Sequence, residues 1–356
     1  MDPRITGLSD ERGEMRFQMT SANVSFANAL RRTALADIPV PVLDGSNATF
    51  QHNTTRLNNE ILKQRLDCIP PHLKDDDFAV AEHEIRLAIV NDTGATRLVT
   101  TKDFQIVQKA TGLALPETER AAIFPPDPIS GDHISFARLR AKVAAGQEGG
   151  ERLAFSCPLA IRTAADNGCY TCVSLCSYGA TPDARAAEEA WKSRQEDGTS
   201  KADWQALEAL RYVVPNSFDF VLRSVGALDN RTIMRKACAV LSEGMGALKT
   251  QLQEDAESIV KPFGGTVANC YDATVQGLGY TRGKALEAVL HLEHVPSILT
   301  YCGFRKPHPH IDESVLRIAF ATPPGEDRGT AAVISLLSAA CDRVTSIFEE
   351  LGKQFT

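Results

Sequence analysis

Nowhere in the 356 residues does an apolar run approach the about 18–20 needed to span a bilayer, so no membrane-crossing segment is expected. Met1 to Asp10 carries Asp2, Arg4 and Asp10 with no apolar core, which argues against a secretory signal. A basic excess is also missing. Lys and Arg number 38 against 45 Asp and Glu, a net charge of −7, the wrong sign for a chain whose main task is gripping phosphates. Protein partners are therefore expected. No P-loop is present, since Gly277-Leu278-Gly279 lacks a following Lys-Ser/Thr, and no nucleophile–base pattern stands out. The nine cysteines are an odd number scattered through a long chain, as expected for reduced thiols in an intracellular setting.

What the sequence does contain is a resemblance between its two ends. Glu14–Thr20 alternates like a strand, and Ser25–Asp37 has helical spacing closed by Ile38-Pro39. Val267–Val275 is strand-like in turn, followed by Thr281–His294 and Val295-Pro296. Leu30 lies nine residues before its proline and Leu286 ten before its own. Proline ends each helix because it lacks an N–H and clashes with the preceding turn.

Both copies close alike. Phe218–Val225 alternates, and Asp229–Glu254 carries a stripe of Ile233, Ala237, Val240, Leu241, Leu248 and Leu252. Ser314–Phe320 alternates, and from Ala331 the stripe runs through Val333, Leu337, Ala340, Val344 and Phe348. These spacings follow the 3.6-residue period. A long amphipathic helix must bury its stripe, and each stripe is the other's expected partner. The block between, about Gly45 to Pro215, is rich in Thr, Val, Ile and turn signals and is expected to be mostly β, with a helical excursion at about Asp183–Leu210.

On the first helix, Phe26, Ala29, Leu30 and Thr33 share a narrow face of mainly small residues, with Asn28, Arg31, Arg32 and Leu35 opposite. The two arginines offer a fan of donors for carboxylates or carbonyls of another protein, or else a solvated basic face.

Asn23–Pro39 (NVSFANALRRTALADIP) and His52–Pro70 (HNTTRLNNEILKQRLDCIP) resemble, in order, two signatures of the α-type dimerisation domain of RNA polymerases. That family includes the bacterial α subunit, the archaeal D subunit and the third-largest subunit of eukaryotic polymerase II. Downstream, Thr281, Gly283, Leu286, Gly303-Phe304, Pro307-His308-Pro309 and Arg317-Ile318 resemble the small partner, the archaeal L or eukaryotic eleventh subunit. Arg282 and Lys284 depart from its pattern. One chain carrying both is similar to the fused subunit of large double-stranded DNA viruses.

This resemblance implies a non-catalytic assembly platform of DNA-directed RNA polymerase, with the catalytic residues on other subunits and no cofactor. The implied partners are the largest and second-largest subunits and small zinc-binding subunits, with DNA touched only indirectly and no homo-oligomer. For a viral chain, virion and host cytoplasm or nucleus are implied. The expected fold is α+β, with two α-like dimerisation units packed through long helices and a β insert in the first. The expected division is 1–45 and 215–255 for the first unit, 46–214 for the insert, 256–265 for a linker and 266–356 for the small-partner unit. Asn28, Arg31, Arg32, Asn53, Thr54, Glu60 and Arg65 are implied to face the second-largest subunit. Phe26, Leu30, Leu241, Leu248, Leu286, Leu290, Leu337, Val344 and Phe348 are expected to make the intrachain pairing.

Other candidates are weaker. Cys157, Cys169, Cys172 and Cys176 are close enough to suggest zinc. Read as a strand, however, Cys169–Tyr178 puts Cys169 on the side opposite Cys172 and Cys176, which favours core cysteines. His308 and His310 are two ligands, too few for a site, and Asp75-Asp76-Asp77 reads as a solvated turn rather than a Mg²⁺ triplet. Two rivals remain: a metalloprotein or enzyme built on the cysteine cluster, and a homodimerising α-like regulator acting outside any polymerase.

Overall fold

Met15, Phe17 and Met19 are buried while Arg16 between them is exposed. A pleated strand with one wet face requires that alternation. The computed structural model has an α+β architecture and describes residues 1–73, 78–142, 149–194, 198, 200–325 and 328–356. It forms two units: Met1–Leu35 with Leu175–Arg223 and Asn230–Thr356, and Ala36–Ser174 with Ser224–Asp229.

The first unit opens with β1 (Arg4–Glu11), β2 (Glu14–Thr20) and α1 (Val24–Ala36). The second then supplies β3 (Val40–Leu43), β4 (Thr49–Asn53), α2 (Asn59–Asp67), β5 (His83–Val90) and β6 (Arg97–Thr100). It continues with β7 (Gln105–Gln108), α3 (Glu117–Ile123), β8 (Ser135–Leu139) and β9 (Arg152–Arg162). The first unit resumes with β10 (Val173–Pro182), α4 (Ala184–Ser193), α5 (Lys201–Ala206), β11 (Val213–Ser224) and α6 (Asn230–Glu254). After α7 (Ala256–Ile259) come β12 (Val260–Pro262), β13 (Cys270–Gln276), α8 (Tyr280–His294), β14 (Leu299–Arg305), β15 (Glu313–Phe320) and α9 (Gly329–Lys353).

Within the first unit the fold repeats. One sheet has the order β1-β2-β11-β10 and the other β12-β13-β15-β14, so both place their strands first, second, fourth and third. In each, the second strand leads into a helix (α1 or α8) and the fourth into a 25-residue helix (α6 or α9). The two long helices pack on each other more extensively than any other pair of elements. α9 is long and apolar enough, by length and composition, to cross a membrane. Its stripe of Val333, Leu337, Ala340, Val344 and Phe348 is buried, with 39% of the apolar stretch buried in all. Gly283 in α8 allows a close approach, because a Cβ there would sit 2.4 Å from the Phe304 ring. On β13 and β15, Asp272 and Arg317 face each other and form a two-pronged ion pair at 2.7 and 2.6 Å.

In the second unit β9 is the hub, pairing with β3, β4 and β5. Its core gathers Phe104, Phe136 and Phe155, with ring centroids 5.3 to 5.6 Å apart. β6 and β8 form a separate ribbon.

The boundaries differ from those read off the sequence. The first unit's opening part ends at Leu35 rather than 45, and residues 175–214, expected in the insert, belong to the first unit because β10 joins the sheet beside β11. The helical excursion, α4 and α5, goes with it. The expected linker 256–265 instead holds α7 and β12, where Val260 pairs with Ala273. Cys169–Tyr178 is not one strand: Gly168–Tyr170 is a 3-10 turn, its start capped by the Asn167 side chain, and β10 begins only at Val173. The run Asp75–Asp77 lies outside the described residues.

Candidate functional site

The intrachain clasp is built from side chains of both repeats. Phe26 on α1 meets Phe348 on α9 with ring centroids 5.3 Å apart. Phe17 on β2 stacks on Phe220 of β11 at 4.8 Å and meets Phe355 edge-on at 5.1 Å. Leu30, Leu241, Leu248, Leu286, Leu290, Leu337 and Val344 are all buried with them. Polar contacts bridge the repeats as well. The Ile5 amide donates to Gln354 Oε1 at 2.7 Å, and Arg32 Nε donates to Thr281 Oγ1 at 3.0 Å. Lys249 Nζ on α6 meets Asp342 on α9 at 2.7 Å.

The basic side of α1 is therefore less free than the sequence suggests. Arg31 Nε and Nη2 both donate to Asn28 Oδ1, at 3.2 and 2.9 Å, so these two residues form one half-buried polar group. Arg32 is exposed but tied to α8 through Thr281. The outward fan expected of the pair is thus reduced to what Arg31 can still offer.

In the second unit, Asn53 and Thr54 organise their own loop. Asn53 Nδ2 donates to the Leu57 carbonyl and to Asn59 Oδ1, both at 2.8 Å, while its Oδ1 accepts from the Thr55 amide and hydroxyl. The Thr54 hydroxyl accepts from the Arg152 amide at 2.8 Å. Asn58 caps α2 by accepting from the Ile61 amide at 3.0 Å, satisfying a donor the helix start leaves open. Glu60 on the first turn of α2 and Arg65 on its last are exposed. Arg65 Nη2 donates to the Ser135 carbonyl at 2.7 Å, whereas Glu60 makes no ion pair among the described residues.

At the end of α2 the buried Asp67 accepts from the Gly45 amide at 2.8 Å and the Tyr170 hydroxyl at 3.0 Å. Burial, followed by the bond to Asp67, raises the Tyr170 phenol above its ordinary range. Gly45 is required here, since a Cβ would lie 2.2 Å from the Lys63 carbonyl oxygen. The face beside α2 also carries Arg56, Arg138 and Arg140. Sequence reasoning passed over them because they belong to different elements.

No group of three or more His, Cys, Asp or Glu able to hold a metal occurs among the described residues. Cys157 and Cys172 are buried in the second unit and Cys176 in the first, while Cys169 is exposed with its Sγ 3.6 Å from that of Cys68. Burial pushes the Cys172 thiol up to about 11 and Cys157 higher still. His308 and His310 face each other in the turn before β15, ring centroids 5.2 Å apart.

Comparison with known proteins agrees with this architecture. The model of the RNA polymerase Rpb3/Rpb11 dimerisation domain matches residues 16–245. The chain is also similar to the DNA-directed RNA polymerase subunit Rpo3 of Pyrococcus furiosus, with 35% identity over 78 residues. That match spans 22% of this chain and 29% of the archaeal protein. A matched stretch covering well over half the sequence, from β2 into α6, settles the membership: this chain belongs to the RNA polymerase Rpb3/Rpb11 dimerisation-domain family.

Proposed function

We propose that the chain is a non-catalytic assembly subunit of DNA-directed RNA polymerase in which both halves of the dimerisation platform are carried by one polypeptide. The observation that carries this reading is the repeat itself: two sheets of identical strand order whose 25-residue helices clasp each other. On this reading residues 266–356 replace the separate small partner of the cellular enzymes. Covalent joining exchanges a bimolecular encounter for a local one at about millimolar effective concentration. The platform docks the second-largest subunit through the first repeat and α2 and the largest through the second, with small zinc-binding subunits alongside. The fusion also fits a large DNA virus as the source, with virion and host cytoplasm or nucleus as the place of action.

The test is capture of the tagged chain from its native source, with identification of what co-purifies. The two largest polymerase subunits are the expected companions, and recovery of the chain without any polymerase subunit refutes the reading. Within that experiment Arg31→Glu is the informative variant, because Arg32 also serves the clasp through Thr281. It should weaken recovery of the second-largest subunit without unfolding the chain.

A further inference from the structure

The second unit carries an open groove of about 580 Å³ between the end of β4, α2 and the β6–β8 ribbon. Arg56, Arg65, Arg138 and Arg140 line it, with Leu57 and Phe136 also in its wall. All four arginines are exposed, and no carboxylate is among the lining residues. A chain with 45 acidic and 38 basic residues has here a local reversal of its own charge balance.

The four cations are not equivalent. Arg140 Nε is paired with Glu151 at 2.5 Å, and Arg65 is fixed by its bond to the Ser135 carbonyl. Arg56 and Arg138 make no ion pair among the described residues, so their guanidinium forks are open to a ligand. Such forks match carboxylates in a two-pronged geometry.

We propose that this groove receives an acidic, extended segment of a partner protein. The inference rests on the assembly-subunit reading for the partner's origin and adds the chemistry of the contact. A single-stranded nucleic acid fits less well. Phe136 is buried and offers no face for base stacking.

The test uses the full chain and a fluorescein-labelled octaglutamate peptide, read by anisotropy at low and moderate salt. Arg56→Glu with Arg138→Glu should weaken binding at least tenfold. Lys102→Glu with Lys261→Glu, the same charge change elsewhere, should leave it within about twofold once salt screens the net charge. Thermal unfolding checks that the first variant is folded, and Arg56→Ala with Arg138→Ala is the milder alternative, expected to lose at least threefold. Equal loss in the control pair overturns the proposal. So does an eight-nucleotide single-stranded DNA that binds more tightly than the peptide and is lost in the same groove variant. Because the peptide is titrated against the isolated chain, this assay can fail while the polymerase subunits still co-purify, and the reverse.

Discussion

Replacing Phe348 by Ala removes the ring through which the C-terminal helix meets the first one, 5.3 Å from Phe26 and fully buried. Truncating a buried Phe costs about 3–5 kcal/mol through lost transfer energy and the cavity left behind. With a urea slope of about 2 kcal/mol per molar, the unfolding midpoint of this unit falls by about 2 M. The contact itself is isolated by a double-mutant cycle with Phe26→Leu and Phe348→Leu, substitutions mild enough to leave the double variant folded. An aromatic pair contributes about 0.5–1.5 kcal/mol beyond its area, so the double variant should be less destabilised than the sum of the singles by about that amount. Additivity within about 0.3 kcal/mol would refute direct contact between the chain's first and last helices.

Three further outcomes follow from local geometry. Gly283→Ala should cost about 1–3 kcal/mol by driving a methyl into the Phe304 ring, and calorimetry of the purified variant checks it. Arg223 and Arg16 hold the Glu14 carboxylate below its ordinary value of 4.5. The stability it adds is therefore fully present above pH 4.5 and is lost as pH falls through its lower folded value. An NMR titration should place its midpoint below 4.5, and the wild type's advantage over Glu14→Gln should fade only on that acid side. Of the nine cysteines, seven are buried, with Cys238 and Cys341 pushed up to about 12 by desolvation. A disulfide reagent at pH 8 should reach two thiols ahead of the rest, Cys169 and then Cys68, whose thiol is pushed up by burial and the neighbouring Cys169; fast reaction of four or more would contradict the packing.

Much of the clasp was legible because its signals are local. The stripes on α6 and α9 repeat at helical spacing, and Pro39 and Pro296 mark where α1 and α8 stop. What escaped notice depends on pairing across long separations. β1 sits at a sheet edge with mostly exposed residues, so its sequence has no apolar alternation to betray it. Val260 becomes strand only by pairing with Ala273, and residues 175–214 join the first unit only because β10 lies beside β11. The Cys169 segment looked extended because Tyr, Thr and Val favour strands, but the Asn167 cap and Gly168 turn it. The local bonds of the docking candidates were hidden for a similar reason. Residue type alone could not say that Asn53 spends its amide on Leu57 and Asn59, or that Arg32 reaches Thr281 some 249 residues away.

The most direct test of the account is native mass spectrometry of the polymerase captured through this chain. One copy per assembly, with no separate small dimerisation partner, is the predicted result. Two copies, or one copy bound to an independent small partner, would contradict the claim that a single polypeptide supplies both halves of the platform.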